Sequence, residues 1–345
     1  MAFLSRCNFV LRTAKRVKLH RFFGTTQDAC REMNYPTHAQ KLGRWAGICS
    51  MLRLPVHENA EGLDACFVGI PFDSGTSYRP GTRFGPRQIR VESAMLRHVN
   101  AVTGASPFES MMVADIGDMS VVPFNVERSC GIIKDEIAKI IENGCRPLSM
   151  GGDHLVSYPI LQAMKEKYGK VGVIHIDSHA DTIEHQLEER LAHGTPFSRA
   201  VEEDLLEGER VVQIGLRGSL YSHDDFNVAE KQGFRIVRVE ECWHKSLTPL
   251  MEEVREQMGD GPVYLTFCVD AIDPAFAPGT GTPEIGGLTS IQALEIVRGC
   301  KGLNIIGADF VEVSPPYDPF GTTALIAANL LFEMLCILPG VKYVK

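Results

Sequence analysis

In this 345-residue chain, the side chains best suited to chemistry fall in four clusters, each directly after a short apolar run. The densest is Asp177-Ser178-His179-Ala180-Asp181, which sets acid, imidazole and acid at alternate positions. Side chains at alternate positions leaving a strand project to the same side, so three oxygen or nitrogen donors converge on one spot. Mixed carboxylate and imidazole sets suit Mn, Fe or Zn before Ca or Cu. The other clusters are Gly151-Gly152-Asp153-His154, the run 266–274 with Cys268, Asp270 and Asp273, and the run 309–315 with Asp309 and Glu312. A solvated polar turn accounts for any one of them, but four at four strand ends point to a shared site.

The elements that must position these clusters alternate along the chain. Apolar, often β-branched runs at 65–70, 111–116, 146–150, 171–176, 211–215, 234–239, 263–269 and 303–309 predict eight strands. Helical periodicity between them predicts helices near 86–99, 126–143, 155–168, 246–258, 289–300 and 322–338. Strand and helix in alternation give an α/β fold, and near-continuous apolar strands imply a mostly parallel sheet covered on both faces. No Pro/Ser-rich linker divides it, so 45–345 reads as a single domain. In such a sheet, ligands gather beyond the carboxyl ends of the strands, where all four clusters lie.

Composition narrows the partners. A hydrophobic content of 44% and a charged content of 23% are globular, and the net charge of -8 argues against a nucleic-acid partner. No run reaches the roughly 18 apolar residues of a membrane span. The ten cysteines form no CxxC pair, which suggests a reducing compartment. The first 27 residues carry Arg6, Arg12, Lys15, Arg16, Lys18 and Arg21 with no acidic residue, and these basic residues break up the apolar ones. That composition predicts a mitochondrial transit peptide with a flexible segment over 1–40.

The Gly-Gly-Asp-His, Asp-x-His-x-Asp and Phe-x-Val-Asp-x-Ile-Asp-Pro motifs, in this order, resemble the three signatures of the ureohydrolase family, which includes arginases and agmatinases. The likeness extends to the run 77–86, the pair His193-Gly194, the loop 278–284 and the run 312–318. It covers roughly residues 47–340, with the vertebrate mitochondrial agmatinases as the nearest branch. The resemblance implies a three-layer arginase-like fold, two Mn²⁺ per subunit, a small guanidino substrate and a homo-oligomer, trimer or hexamer. One Mn²⁺ would be held by His154, Asp177 and Asp181. The other would be held by His179 and Asp270, with Asp177 bridging. Glu312 would hold the substrate guanidinium, and His193 would relay protons to the leaving amine.

Position 268 departs from that pattern. The family places a second bridging carboxylate there and this chain has Cys268, a soft donor in place of hard oxygens. A weakened Mn²⁺ centre, a softer metal or a catalytically impaired homologue would each follow. The implied reaction is hydrolysis of agmatine to putrescine and urea, or of a guanidino acid to an amino acid and urea. The loops 73–90, 182–198 and 217–228 would read the tail, and Arg79 and Arg83 are each open to two readings, a partner for a carboxylate tail or a structural role. Asp153, Asp273 and Glu284 are expected to fix loops or orient ligands, and His175 to be a hydrogen-bonded core group.

Overall fold

The computed structural model describes residues 33–220, 222 and 225–344, and the compact unit runs from Met33. The predicted transit segment therefore falls mostly outside the described residues. From residue 33 on the chain is tied in: the Asn34 side chain donates to the Val113 carbonyl at 3.1 Å and the Thr37 amide to the Arg53 carbonyl at 2.9 Å.

Ten strands form. They are β1 Ala65–Gly69, β2 Ala105–Ser106, β3 Val113–Asp118, β4 Arg146–Met150, β5 Val171–Ile176, β6 Leu206–Leu216, β7 Arg235–Arg238, β8 Pro262–Cys268, β9 Asn304–Val311 and β10 Lys342–Tyr343. Eight of them build one sheet in the order β3-β1-β4-β9-β8-β5-β6-β7, with every pairing parallel. β2 and β10 pair antiparallel as a small ribbon apart from it.

Alternation along the strands sorts the core into two layers. Ala65 and Phe67 of β1, and Ile174 and Ile176 of β5, pack with helices α1 (Gly85–Ser93), α6 (Thr248–Met258), α7 (Ser290–Gly299) and α8 (Thr322–Ile337). Cys66 and Val68, with Val171 and Val173, face α2 (Val126–Glu142), α3 (Ser157–Tyr168) and α4 (Pro196–Glu202). Each fully buried aliphatic or aromatic side chain contributes about 1.5–3 kcal/mol, which holds both helical layers to the sheet. The result is the expected three-layer α/β architecture. The first helix ends at Ser93 instead of near 99, where the Ser93 hydroxyl turns back to the Arg90 carbonyl at 2.7 Å. Two short helices, α4 and α5 (Asn227–Lys231), were not anticipated, because five to seven residues carry too little periodicity to read.

For function, the decisive feature is strand order. The four polar clusters follow β4, β5, β8 and β9, which are scattered along the chain but adjacent in the sheet as β4-β9-β8-β5. Their carboxyl ends therefore open onto one place.

Candidate metal centre and active site

The Gly-Gly-Asp-His turn after β4 needs both glycines. A side chain on Gly152 would meet the Phe72 carbonyl oxygen at 1.8 Å, and one on Gly151 the Val311 side chain at 2.5 Å. The turn leaves Asp153 capping the amide of Leu155 at 3.1 Å and holding the amide of Gly75 at 2.7 Å. Asp153 thus fixes two loops, as expected. Burial and the nearby Glu312 charge push its pKa up to about 7.

His154 points into the centre. Its Nε2 lies 3.0 Å from the Thr266 hydroxyl, which itself donates to Asp309 Oδ1 at 2.6 Å. Because a carboxylate only accepts, the Thr266 proton is committed to Asp309 and its oxygen must accept from His154 Nε2–H. Nδ1 is left with its lone pair. It lies 2.8 Å from Asp177 Oδ2 and 2.9 Å from Asp181 Oδ2, yet among the described residues it has no hydrogen bond of acceptable geometry. A buried nitrogen with no hydrogen-bond partner, facing two carboxylates, fits a shared cation. Tyr264 and Ser157 also donate to Asp309, each at 2.7 Å, and lock this support. Nothing in the sequence marks Thr266, Asp309 and Tyr264 as one unit, since only the β8–β9 pairing brings them together.

His175 is buried and takes a supporting place. Gln213 Nε2 donates to its Nδ1 at 2.9 Å, so its Nε2–H donates to Asp177 Oδ2 at 3.0 Å. Burial would raise the Asp177 carboxyl, but it is held well below the usual carboxylate range, with His175 and His179 contributing. Asp181 turns through a left-handed φ of 50°.

The second half of the centre gathers His179, Asp270 and Cys268. His179 Nδ1 lies 3.2 Å from Asp270 Oδ2 and 3.5 Å from Asp177 Oδ1. Ser178 is drawn in as well, donating to Asp270 Oδ1 from its hydroxyl at 2.8 Å and its amide at 3.2 Å. Cys268 is buried, and its sulfur lies with carboxylate oxygens of Asp177 and Asp270 inside a 4.8 Å cluster. Burial first, then the charges of Asp177, Asp270 and Glu312, push its thiol pKa well up.

Across the cavity stand Glu312 and His193. Glu312 leaves β9 at a left-handed φ of 66°, accepts from the His154 amide at 2.9 Å, and lies 3.0 Å from His193 Nδ1. Its other oxygen, Oε2, is buried without a partner among the described residues. His193 Nε2 lies 2.7 Å from the Ser77 hydroxyl and 3.2 Å from the Ser77 amide. Ser77 serves both forms of the ring: its hydroxyl accepts from the protonated form, and its amide donates to the neutral one. Burial lowers the His193 pKa, but the Glu312 carboxylate more than offsets this and raises it to about 9. His193 therefore holds a proton at neutral pH and loses it as pH rises through about 9. Its contribution to folding stability has the same sign, complete below the ordinary histidine value of about 6.5 and lost through the raised one. A reaction that needs that proton should slow through the same range. A pH profile of kcat that stays flat there would remove His193 from the proton-transfer step.

The cavity around these groups measures about 540 Å³ and is lined from all three of the loops expected to read the substrate tail. Arg79 lies in its wall, its guanidinium 5.3 Å from the ring centroids of both Tyr78 and Tyr317. Arg83 is instead bound to Asp73, with Nε to Oδ1 at 2.5 Å, and is absent from the lining. Asp273 fixes the 273–287 loop by accepting from the amides of Ala275, Gly286 and Gly287. Glu284 fixes it through its carbonyl, which accepts from Arg217 at 2.7 Å, while its carboxylate lies against Gly218 in the cavity wall. Arg217 itself was missed from sequence. It is buried and spends its guanidinium on the carbonyls of Gly215, Asp270, Ala271, Glu284 and Ile285.

The sequence profile of the arginase family matches residues 63–336. The chain belongs to the arginase family. It is a metal-dependent ureohydrolase, an enzyme that cleaves C–N bonds of linear amidines. This ureohydrolase is 59% identical over 336 residues to "Agmatinase, mitochondrial" of Gallus gallus, covering 96% of this chain and 98% of that one. It is 59% identical over 311 residues to "Guanidino acid hydrolase, mitochondrial" of Homo sapiens, covering 90% and 88%. Among solved structures, proclavaminate amidino hydrolase from Streptomyces clavuligerus superposes with a TM-score of 0.80 at 36% identity, covering 85% of this chain and 99% of that one.

Proposed function

We propose that this ureohydrolase takes agmatine or a guanidino acid and breaks the bond between the guanidino carbon and the alkyl nitrogen. Water is consumed, and urea leaves with putrescine or an amino acid. The observation that carries this reading is the unpartnered Glu312 Oε2 in the same cavity as the His154-Asp177-Asp181 and Asp177-Cys268-Asp270 clusters. A carboxylate facing a cavity binds a guanidinium through paired hydrogen bonds and sets its carbon in line for attack.

His154, Asp177 and Asp181 would hold one divalent ion, and His179, Asp270 and Asp177 the other, with Cys268 as a further donor. Manganese is the ion the family resemblance implies, two per subunit. When bound, such a pair supplies hydroxide near neutral pH, where bulk water has a pKa of about 15.7. Glu312 holds the guanidinium, and His193 holds at Nε2, beside Ser77, the proton that the departing amine must gain. The expected result is urea release from at least one of agmatine, guanidinobutyrate, guanidinopropionate, arginine and guanidine, lost on chelation and restored by metal. If no compound is hydrolysed by protein holding two metals per chain, the catalytic reading fails and a guanidino-binding homologue takes its place.

Residues 1–40 would direct import into mitochondria, ahead of a catalytic domain over 45–345. The basic, acid-free composition of the first 27 residues supports this, as do the mitochondrial names of the two relatives above. Fused to a reporter, this segment should give mitochondrial fluorescence, whereas a diffuse cytosolic signal would refute the import role. A homo-oligomer, trimer or hexamer, is proposed on the family resemblance alone.

A further inference from the structure

The two halves of the centre offer different chemistry. On the His154 side, the donors are one imidazole nitrogen and the Oδ2 atoms of Asp177 and Asp181. On the other side, Asp270 Oδ1 is already taken by the amide and hydroxyl of Ser178, which leaves only Oδ2 to face His179 Nδ1. Asp177 turns Oδ2 to His154 and offers this side only Oδ1, which accepts from the His179 amide at 2.6 Å and keeps one lone pair. The carboxylates there are thus limited to single-oxygen donation. The remaining donor is Cys268 Sγ, 1% exposed and within 4.8 Å of carboxylate oxygens of Asp177 and Asp270. Oxygens of Asp177 and Asp270 with the Cys268 sulfur make a small, soft donor set, which His179 Nδ1 adjoins at 3.2 Å from Asp270 Oδ2. Oxygen-rich six-coordination suits Mn²⁺, whereas four-coordination by sulfur, nitrogen and carboxylate oxygen suits Zn²⁺ or Co²⁺.

We propose that Cys268 makes the His179/Asp270 position a thiolate site selective for a zinc-class ion over Mn²⁺, while the His154/Asp181 position keeps a carboxylate and imidazole set. The proposal rests on the ureohydrolase reading only in taking metals to bind here. On binding, the Cys268 thiol releases its proton to solvent and the sulfur lone pair forms the bond to the metal. Cys268 thereby ties β8 directly to the second ion, and Ser178 sets how many oxygens that ion meets.

The test uses the full chain, stripped with chelator and refilled with Co²⁺ as a spectroscopic probe. A near-ultraviolet sulfur-to-cobalt charge-transfer band should grow to one equivalent and be absent in Cys268→Ser. Equilibrated with Zn²⁺ and a tenfold excess of Mn²⁺, the wild-type chain should retain about one Zn²⁺ by elemental analysis. Cys268→Asp should lower that Zn²⁺-to-Mn²⁺ ratio at least tenfold. Two bound Co²⁺ without the band in wild type would overturn the proposal whether or not the variants fold, as would an unchanged ratio in a folded Cys268→Asp. Urea release is measured separately on the same samples. A band with no turnover would therefore fault the catalytic reading and leave the thiolate site standing, and turnover without a band would do the reverse.

Discussion

Replacing Asp177 by Asn is expected to strip most of the bound metal and lower urea release by about a thousandfold. Asp177 is the one carboxylate that reaches both halves of the centre, with Oδ2 at 2.8 Å from His154 and Oδ1 at 3.5 Å from His179. An amide keeps the shape but loses the charge that offsets two dications. Its nitrogen would also set N–H donors against the Nε2–H of His175 or the amide of His179, both of which now donate to it. A thousandfold loss corresponds to about 4 kcal/mol of barrier, at about 1.4 kcal/mol per tenfold. Elemental analysis of the purified variant checks the cause, and full metal retention would show that the donors have been assigned to the wrong residues.

Glu312→Gln should give a loss of similar size by another route, with metal content unchanged. The wild-type side chain spends Oε1 on the His154 amide and His193 and presents Oε2 to the cavity unpartnered. Glutamine keeps an acceptor for the first task but replaces the charged oxygen that faces the guanidinium with a neutral N–H donor. Removing one member of a buried, hydrogen-bonded charge pair costs about 2–5 kcal/mol, so kcat/KM should fall by roughly one and a half to three and a half orders of magnitude. The His193 proton should also become easier to lose, because the Glu312 carboxylate is the main influence that raises its pKa. Residual turnover should then show a descending limb at lower pH than wild type. Near-normal kcat/KM with both metals bound would mean that the guanidinium is held elsewhere in the cavity.

These two substitutions separate holding the metals from holding the substrate. Asp177 follows β5 and Glu312 follows β9, so the two side chains are presented by different strands. Cys268 stands between them in kind: it packs among core residues of β8 yet its sulfur faces the metal donors.

Much of this was legible along the chain, because the information was local. Strands buried on both faces, such as Val171–Ile176, read as unbroken apolar runs, and the DxHxD spacing marked three donors after β5, although past the strand end the chain turns and parts them, Asp181 going to His154 and His179 to Asp270. Cys268 stood out only against the family pattern, which places a carboxylate there. What the chain could not disclose is which distant strands become neighbours. Parallel strands are joined by long crossovers, so the order β4-β9-β8-β5 is decided by the burial of both sheet faces under helices and not by any adjacent residues. That order carries Thr266 and Asp309 beneath His154 and ties Ser178 to Asp270, whereas the segment after β1 folds on itself, binding Arg83 to Asp73 and leaving Arg79 in the cavity wall. Residue type and spacing determined the donors and the chemistry open to them. The packing of the sheet decided which donors share an ion, which tautomer each imidazole takes, and which carboxylate oxygen stays open to a substrate, because each of these depends on atoms brought together from strands far apart in the chain.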